Sequence, residues 1–63
     1  MRKPNIVAIN ELADQFVYSK GLERVREKLS NFTKEEVVLL YIELTEFRGF
    51  TKQLVLDRLF IHA

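Results

Sequence analysis

The chain contains no cysteine, so neither a disulfide nor a thiolate zinc site can form. Histidine occurs once, at His62, too few for an imidazole metal site and too isolated for a Ser-His-Asp or Cys-His catalytic set. The two glycines, Gly21 and Gly49, stand far apart, so there is no glycine-rich phosphate loop. No apolar run approaches the ~20 residues that a membrane span needs. Arg2 and Lys3 are followed by no long apolar core and no small-residue cleavage site, so a secretory signal is not expected. A strong excess of one charge is also missing. The net charge is +1 and the pI about 8.1, whereas a free-standing nucleic-acid binder usually carries a basic patch and a high pI. An enzyme, a metal or other cofactor and a membrane location are therefore not expected.

The residues present have the composition of a folded protein, with 48% hydrophobic and 30% charged. A 63-residue domain buries only ~60% of the surface its unfolded chain exposes, and is marginal alone. Small domains compensate with disulfides, metals or oligomerisation. With the first two excluded, dimerisation or partner binding is the expected source of extra stability. The halves differ slightly in charge: residues 1–34 carry +3 and residues 35–63 carry −2. The missing cysteine fits a cytoplasmic protein.

The organising stretch runs from Phe32 to Phe47. Thr33 and Glu36 have the spacing of a capping box, and Phe32 and Val37 that of a hydrophobic staple. Loss of the box by Thr33→Ala with Glu36→Ala is expected to cost about 1–2 kcal/mol. At about 100° per residue, Val37, Leu40, Tyr41, Leu44 and Phe47 form one wide apolar face, and Val38, Leu39 and Ile42 extend it. Glu35, Glu43 and Glu46 mark a narrow wet strip. A helix this apolar is expected to be covered on more than one side.

Before it, Met1 to Pro4 is a loose arm and Asn5 a candidate N-cap, with Asn10 as a second. Ile9, Leu12, Ala13, Phe16 and Val17 recur at helical spacing. Ile6 to Ile9 has strand-like β-branching but no second strand to pair with, so helix is favoured. Gly21 is expected to stop that helix in the left-handed conformation. Leu22, Val25 and Leu29 give a second, short helix a narrow apolar stripe, and Glu23, Arg24, Arg26, Glu27 and Lys28 cover the rest. Thr51 is placed to cap a last helix whose Leu54, Val55, Leu56, Leu59, Phe60 and Ile61 point nearly all round. That excess suggests a dimer or partner interface that includes Leu56 and Phe60. The alternative is one long helix running through Gly49, at roughly 1 kcal/mol. The expected fold is a single all-α domain, a small bundle of three to four helices over residues 6–19, 22–29, 33–48 and 51–61, working as a homodimer.

The sequence supports two functional readings. In one, residues 44–55 are a helix-turn-helix with Gly49 in the turn, and Lys52, Gln53 and Arg58 meet DNA. Against it stand Asp57, which would face phosphates, Leu56 near the exposed side, and the low net charge. The other starts from Leu22-Glu23-Arg24-Val25-Arg26-Glu27-Lys28 and, after one deletion in the turn, Asn31 to Tyr41. This stretch resembles the Hha/YmoA family, small helical proteins that modulate gene silencing by the nucleoid protein H-NS. The resemblance covers residues 22–41, about a third of the chain. The family's Asp-His-Arg segment appears only as Glu46-Phe47-Arg48 with a shift of register. The resemblance implies a non-enzymatic regulator acting by protein–protein contact. Glu23 and Glu27, with Glu46 if the shifted register applies, would meet basic residues of an H-NS-like partner. Direct DNA binding would be weak or absent.

Overall fold

The computed structural model of the chain describes residues 3–18 and 22–60. Four helices form: α1 (Ile6–Tyr18), α2 (Glu23–Leu29), α3 (Lys34–Ile42) and α4 (Lys52–Leu59), with a π-helical turn (Glu43–Phe47) continuing α3. There is no strand among the described residues, and the β-branched run Ile6 to Ile9 is helical. The Cα radius of gyration of 10.9 Å lies close to the ~10.6 Å expected for a folded chain of this length, so the helices close over one core.

The helix starts are set by short-range hydrogen bonds. The Ala8 N–H donates to Asn5 Oδ1 at 3.1 Å, which makes Asn5, and not Asn10, the cap of α1. The full capping box begins α3: the Glu36 N–H donates to Thr33 Oγ1 at 3.2 Å, and the Thr33 N–H to Glu36 Oε1 at 2.9 Å. Thr51 caps α4 by accepting from the Leu54 N–H at 3.1 Å. Gly49, at φ +79°, ends the long α3 segment instead of being spanned. Gly21, Ile61 and His62 lie outside the described residues.

Glu36 does more than cap its own helix. It is 3% exposed, and its Oε2 accepts the Asn5 N–H at 2.7 Å. One carboxylate thereby holds the starts of α1 and α3 together. At the other end, the Arg48 guanidinium donates to Asp14 of α1 at 2.7 Å and to Glu43 at 3.0 Å. Ties at both ends make α1 and α3 run side by side in the same direction. Asn5 is thus anchored where the chain enters α1, and Pro4 before it is half-buried; Met1 and Arg2 of the expected arm lie outside the described residues.

Between these helices lies the core: Ile9, Leu12, Ala13 and Phe16 of α1, Val25 and Leu29 of α2, Leu40 and Leu44 of the α3 segment, and Val55 and Leu59 of α4. Phe50 closes it over α1, its ring edge-on to Phe16 at a centroid distance of 5.0 Å. Arg26 of α2 donates to the Arg58 carbonyl at 2.9 Å and joins α2 to the end of α4.

The expected wide face of α3 is corrected at one position. Leu40 and Leu44 are buried, but Phe47 is 75% exposed. The cause is the π-turn, in which the Arg48 N–H donates to the Glu43 carbonyl, five residues back, at 3.0 Å. One extra residue in a turn rotates the chain beyond it by about 100° relative to an α-helix. Phe47 is carried outward, and Arg48 is brought round to Asp14. The Phe50 N–H then reaches the Leu44 carbonyl at 3.0 Å across Gly49, and half-buried Phe50 packs against the core in place of Phe47.

This closure depends on the left-handed residue. No atom lies within 4 Å of where an alanine Cβ would sit at Gly49, so the substitution meets no clash and costs only backbone strain. Gly49→Ala should therefore lower stability by about 1–2 kcal/mol. A urea midpoint equal to the parent's would mean that the turn relaxes freely and is not the element that seats Phe50.

Candidate functional site

The acidic positions of α2 are carried on the side away from its packing. Val25 and Leu29 are buried against α1, and on a helical wheel Glu23 and Glu27 lie opposite them, one turn apart and both exposed. Two like charges at this spacing cost an isolated helix a few tenths of a kcal/mol. Among the described residues neither carboxylate is engaged in a hydrogen bond or ion pair. Arg24 and Lys28 are exposed beside them, while Arg26 is drawn towards α4. The Ser30 hydroxyl donates to the Glu27 carbonyl at 2.6 Å and closes the end of the helix.

Glu46 is also exposed, but it belongs to another element, the π-turn, which packs with α1, α3 and α4. Leu56 is half-buried and Phe60 exposed. The apolar excess expected on α4 is largely absorbed: Val55 and Leu59 are buried, and Leu54 and Leu56 are half-covered. Besides Phe60, exposed apolar side chains occur on α1 at Ile6, Val7, Val17 and Tyr18, on the outer side of α3 at Val38 and Ile42, and at Phe47. The α3 segment is covered along its inner side and on both flanks, where Val37, Leu39 and Tyr41 are half-buried against the core, and only the outer strip with Val38 and Ile42 departs from the expected cover. Its outer strip is open because α1 packs on the inner side of α3, while α2 packs on α1 and α4 on the π-turn.

Lys52, Gln53 and Arg58 are exposed on α4, with residues 48–51 as the turn from the preceding helical segment. Gln53 Nε2 donates to Asp57 Oδ1 at 2.8 Å, which fixes a carboxylate between the two cations. A groove of about 260 Å³ opens between α1 and the α2–α3 turn, with Ala8, Leu12 and Phe32 among its apolar lining and Glu11 and Lys28 at its rim. Among the described residues no cluster of three or more His, Asp or Glu could hold a metal. Nor is any of their helices long and apolar enough to cross a membrane.

The titration of Arg48 is displaced upward. Its hydrogen bonds to Glu43, then to Asp14, hold the guanidinium still further on the charged side. Arg48 therefore stays a cation, and it joins α1 to the π-turn through Asp14 and Glu43. Periodicity predicts neither this role nor the exposure of Phe47. One local signal exists: the Thr45 hydroxyl donates to the Tyr41 carbonyl at 2.9 Å, a back-bond of the kind that bends helices. Compared with protein-family models, with curated proteins and with solved structures, the chain matches none of them.

Proposed function

We propose that this chain is a small non-enzymatic regulator that works in the cytoplasm by binding another protein, and that it does so as a homodimer. The observation that carries the reading is the pair of exposed, unengaged carboxylates Glu23 and Glu27 on the outer face of α2. They fall within the stretch that resembles the Hha/YmoA family, which implies a nucleoid-associated protein of the H-NS kind as the partner. Charges at the rim of an interface steer encounter and set orientation, while affinity comes from neighbouring apolar anchors. Glu46, Leu56 and Phe60 are the further contact positions of this reading.

Its test is Glu23→Lys with Glu27→Lys, measured against the dimerisation region of H-NS. The double reversal should slow association about tenfold or more at low salt, with the far-UV circular dichroism of the parent retained. Unchanged association kinetics would remove α2 as the contact surface.

The second reading is a dimeric helix-turn-helix DNA binder. Its supporting observation is the capped α4 behind a glycine turn, with Lys52, Gln53 and Arg58 exposed. It requires duplex binding that falls steeply with salt, and Lys52→Ala and Arg58→Ala should each flatten the slope by about one. The favoured reading expects poor duplex binding at physiological salt, because the net charge is only +1 and Asp57 divides the cationic face.

A further inference from the structure

We infer that the outer side of α3 is a self-association face, and that its occupant is a second copy of this chain docked antiparallel across a two-fold axis. The inference rests on the homodimer reading above and supplies the surface which that reading lacks. Lys34, Val38 and Ile42 form an exposed row at intervals of four residues along α3, and Glu46, exposed in the π-turn that continues it, follows at the end of the row. Such a row is a ridge of the kind that packs into the groove of a facing helix. Phe47, turned out of the core by the π-turn, adds a large exposed apolar side chain at the end of the same segment.

The row is self-complementary in one direction only. A two-fold axis that sets Val38 against Ile42 of the second copy also sets Lys34 against Glu46 of the second copy, and Glu46 against its Lys34. Both charged ends meet opposite charge, and the centre is apolar. A parallel pairing would set lysine against lysine and glutamate against glutamate. Among the described residues, neither Lys34 nor Glu46 has a salt-bridge partner within its own chain. A helix pair of this length lies at or below the low end of specific interface size, ~1,200 Å² in total, so the dimer is a reversible one.

The experiment is sedimentation of the full chain over a micromolar concentration series. The parent should dimerise. Ile42→Asp should weaken the dimer at least tenfold while leaving helix content unchanged, since the side chain is exposed. Lys34→Glu and Glu46→Lys should each shift the equilibrium towards monomer, by about threefold or more. An equimolar mixture of these two variants should dimerise again, because every facing pair is then of opposite charge. A parent dimer unaffected by all three variants would overturn the α3 face while leaving the homodimer reading intact. A parent that stays monomeric throughout would overturn both.

Discussion

Glu36→Ala should lower stability by about 3 kcal/mol, well beyond the loss of a capping box alone. The carboxylate is buried and accepts two backbone N–H groups, from Thr33 in its own helix start and from Asn5 at the start of α1. A hydrogen bond to a charged acceptor contributes about 1.5–3 kcal/mol, and the cap about 1 kcal/mol. A domain of this size holds only about 3–9 kcal/mol in reserve. The variant should therefore melt at least about 12 °C lower, or be partly unfolded at room temperature. Thr33→Ala is the control, since it removes the hydroxyl of the box and leaves the Asn5 bond in place, at about 1 kcal/mol. Glu36→Gln should fall between the two, because its amide oxygen still accepts one of the two N–H groups and its nitrogen cannot accept the other. Equal urea midpoints for Thr33→Ala and Glu36→Ala would show that the bond to Asn5 contributes nothing to the fold.

An effect as large or larger is expected for Phe16→Ala. Phe16 is 2% exposed and meets Phe50 edge-on at 5.0 Å. Truncating a buried phenylalanine costs about 3–5 kcal/mol, from lost transfer energy and the cavity left behind. In this chain such a loss consumes most of the reserve, and the variant should show reduced helicity even without denaturant. The contact also joins α1 to the turn that launches α4. A double-mutant cycle in the milder background Phe16→Leu and Phe50→Leu should return a coupling of about 0.5–1.5 kcal/mol. A vanishing coupling would mean that Phe50 is seated by the Gly49 turn alone, and a Phe16→Ala cost under 1 kcal/mol would remove Phe16 from the centre of the core.

The candidate surfaces respond to different measurements. Reversals at Glu23 and Glu27 act on association with another protein, while changes at Ile42, Lys34 and Glu46 act on self-association. Glu46 takes part in both readings, so its substitution alone separates nothing. The α2 pair and Ile42 each belong to one reading.

The sequence by itself determined everything governed by contacts within a turn or so. The caps at Asn5, Thr33 and Thr51 each bond an N–H three residues on, and Gly49 stops a helix because only glycine holds φ +79° without strain. The buried stripe Ile9, Leu12, Ala13 and Phe16, and the exposure of Glu23 and Glu27, come from helical periodicity alone. The tertiary structure decided the rest. Glu36 reaches Asn5 across 31 residues and Arg48 reaches Asp14 across 34, and neither bond exists until α1 lies beside α3. The π-turn sent Phe47 out and Phe50 in, a choice that periodicity cannot make because both are aromatic and only one can close over Phe16. The same packing covered the apolar side chains of α4 in whole or in part and left the outer row of α3 bare. A periodic pattern shows which residues share a face, but the placement of the neighbouring helices settles which faces are covered.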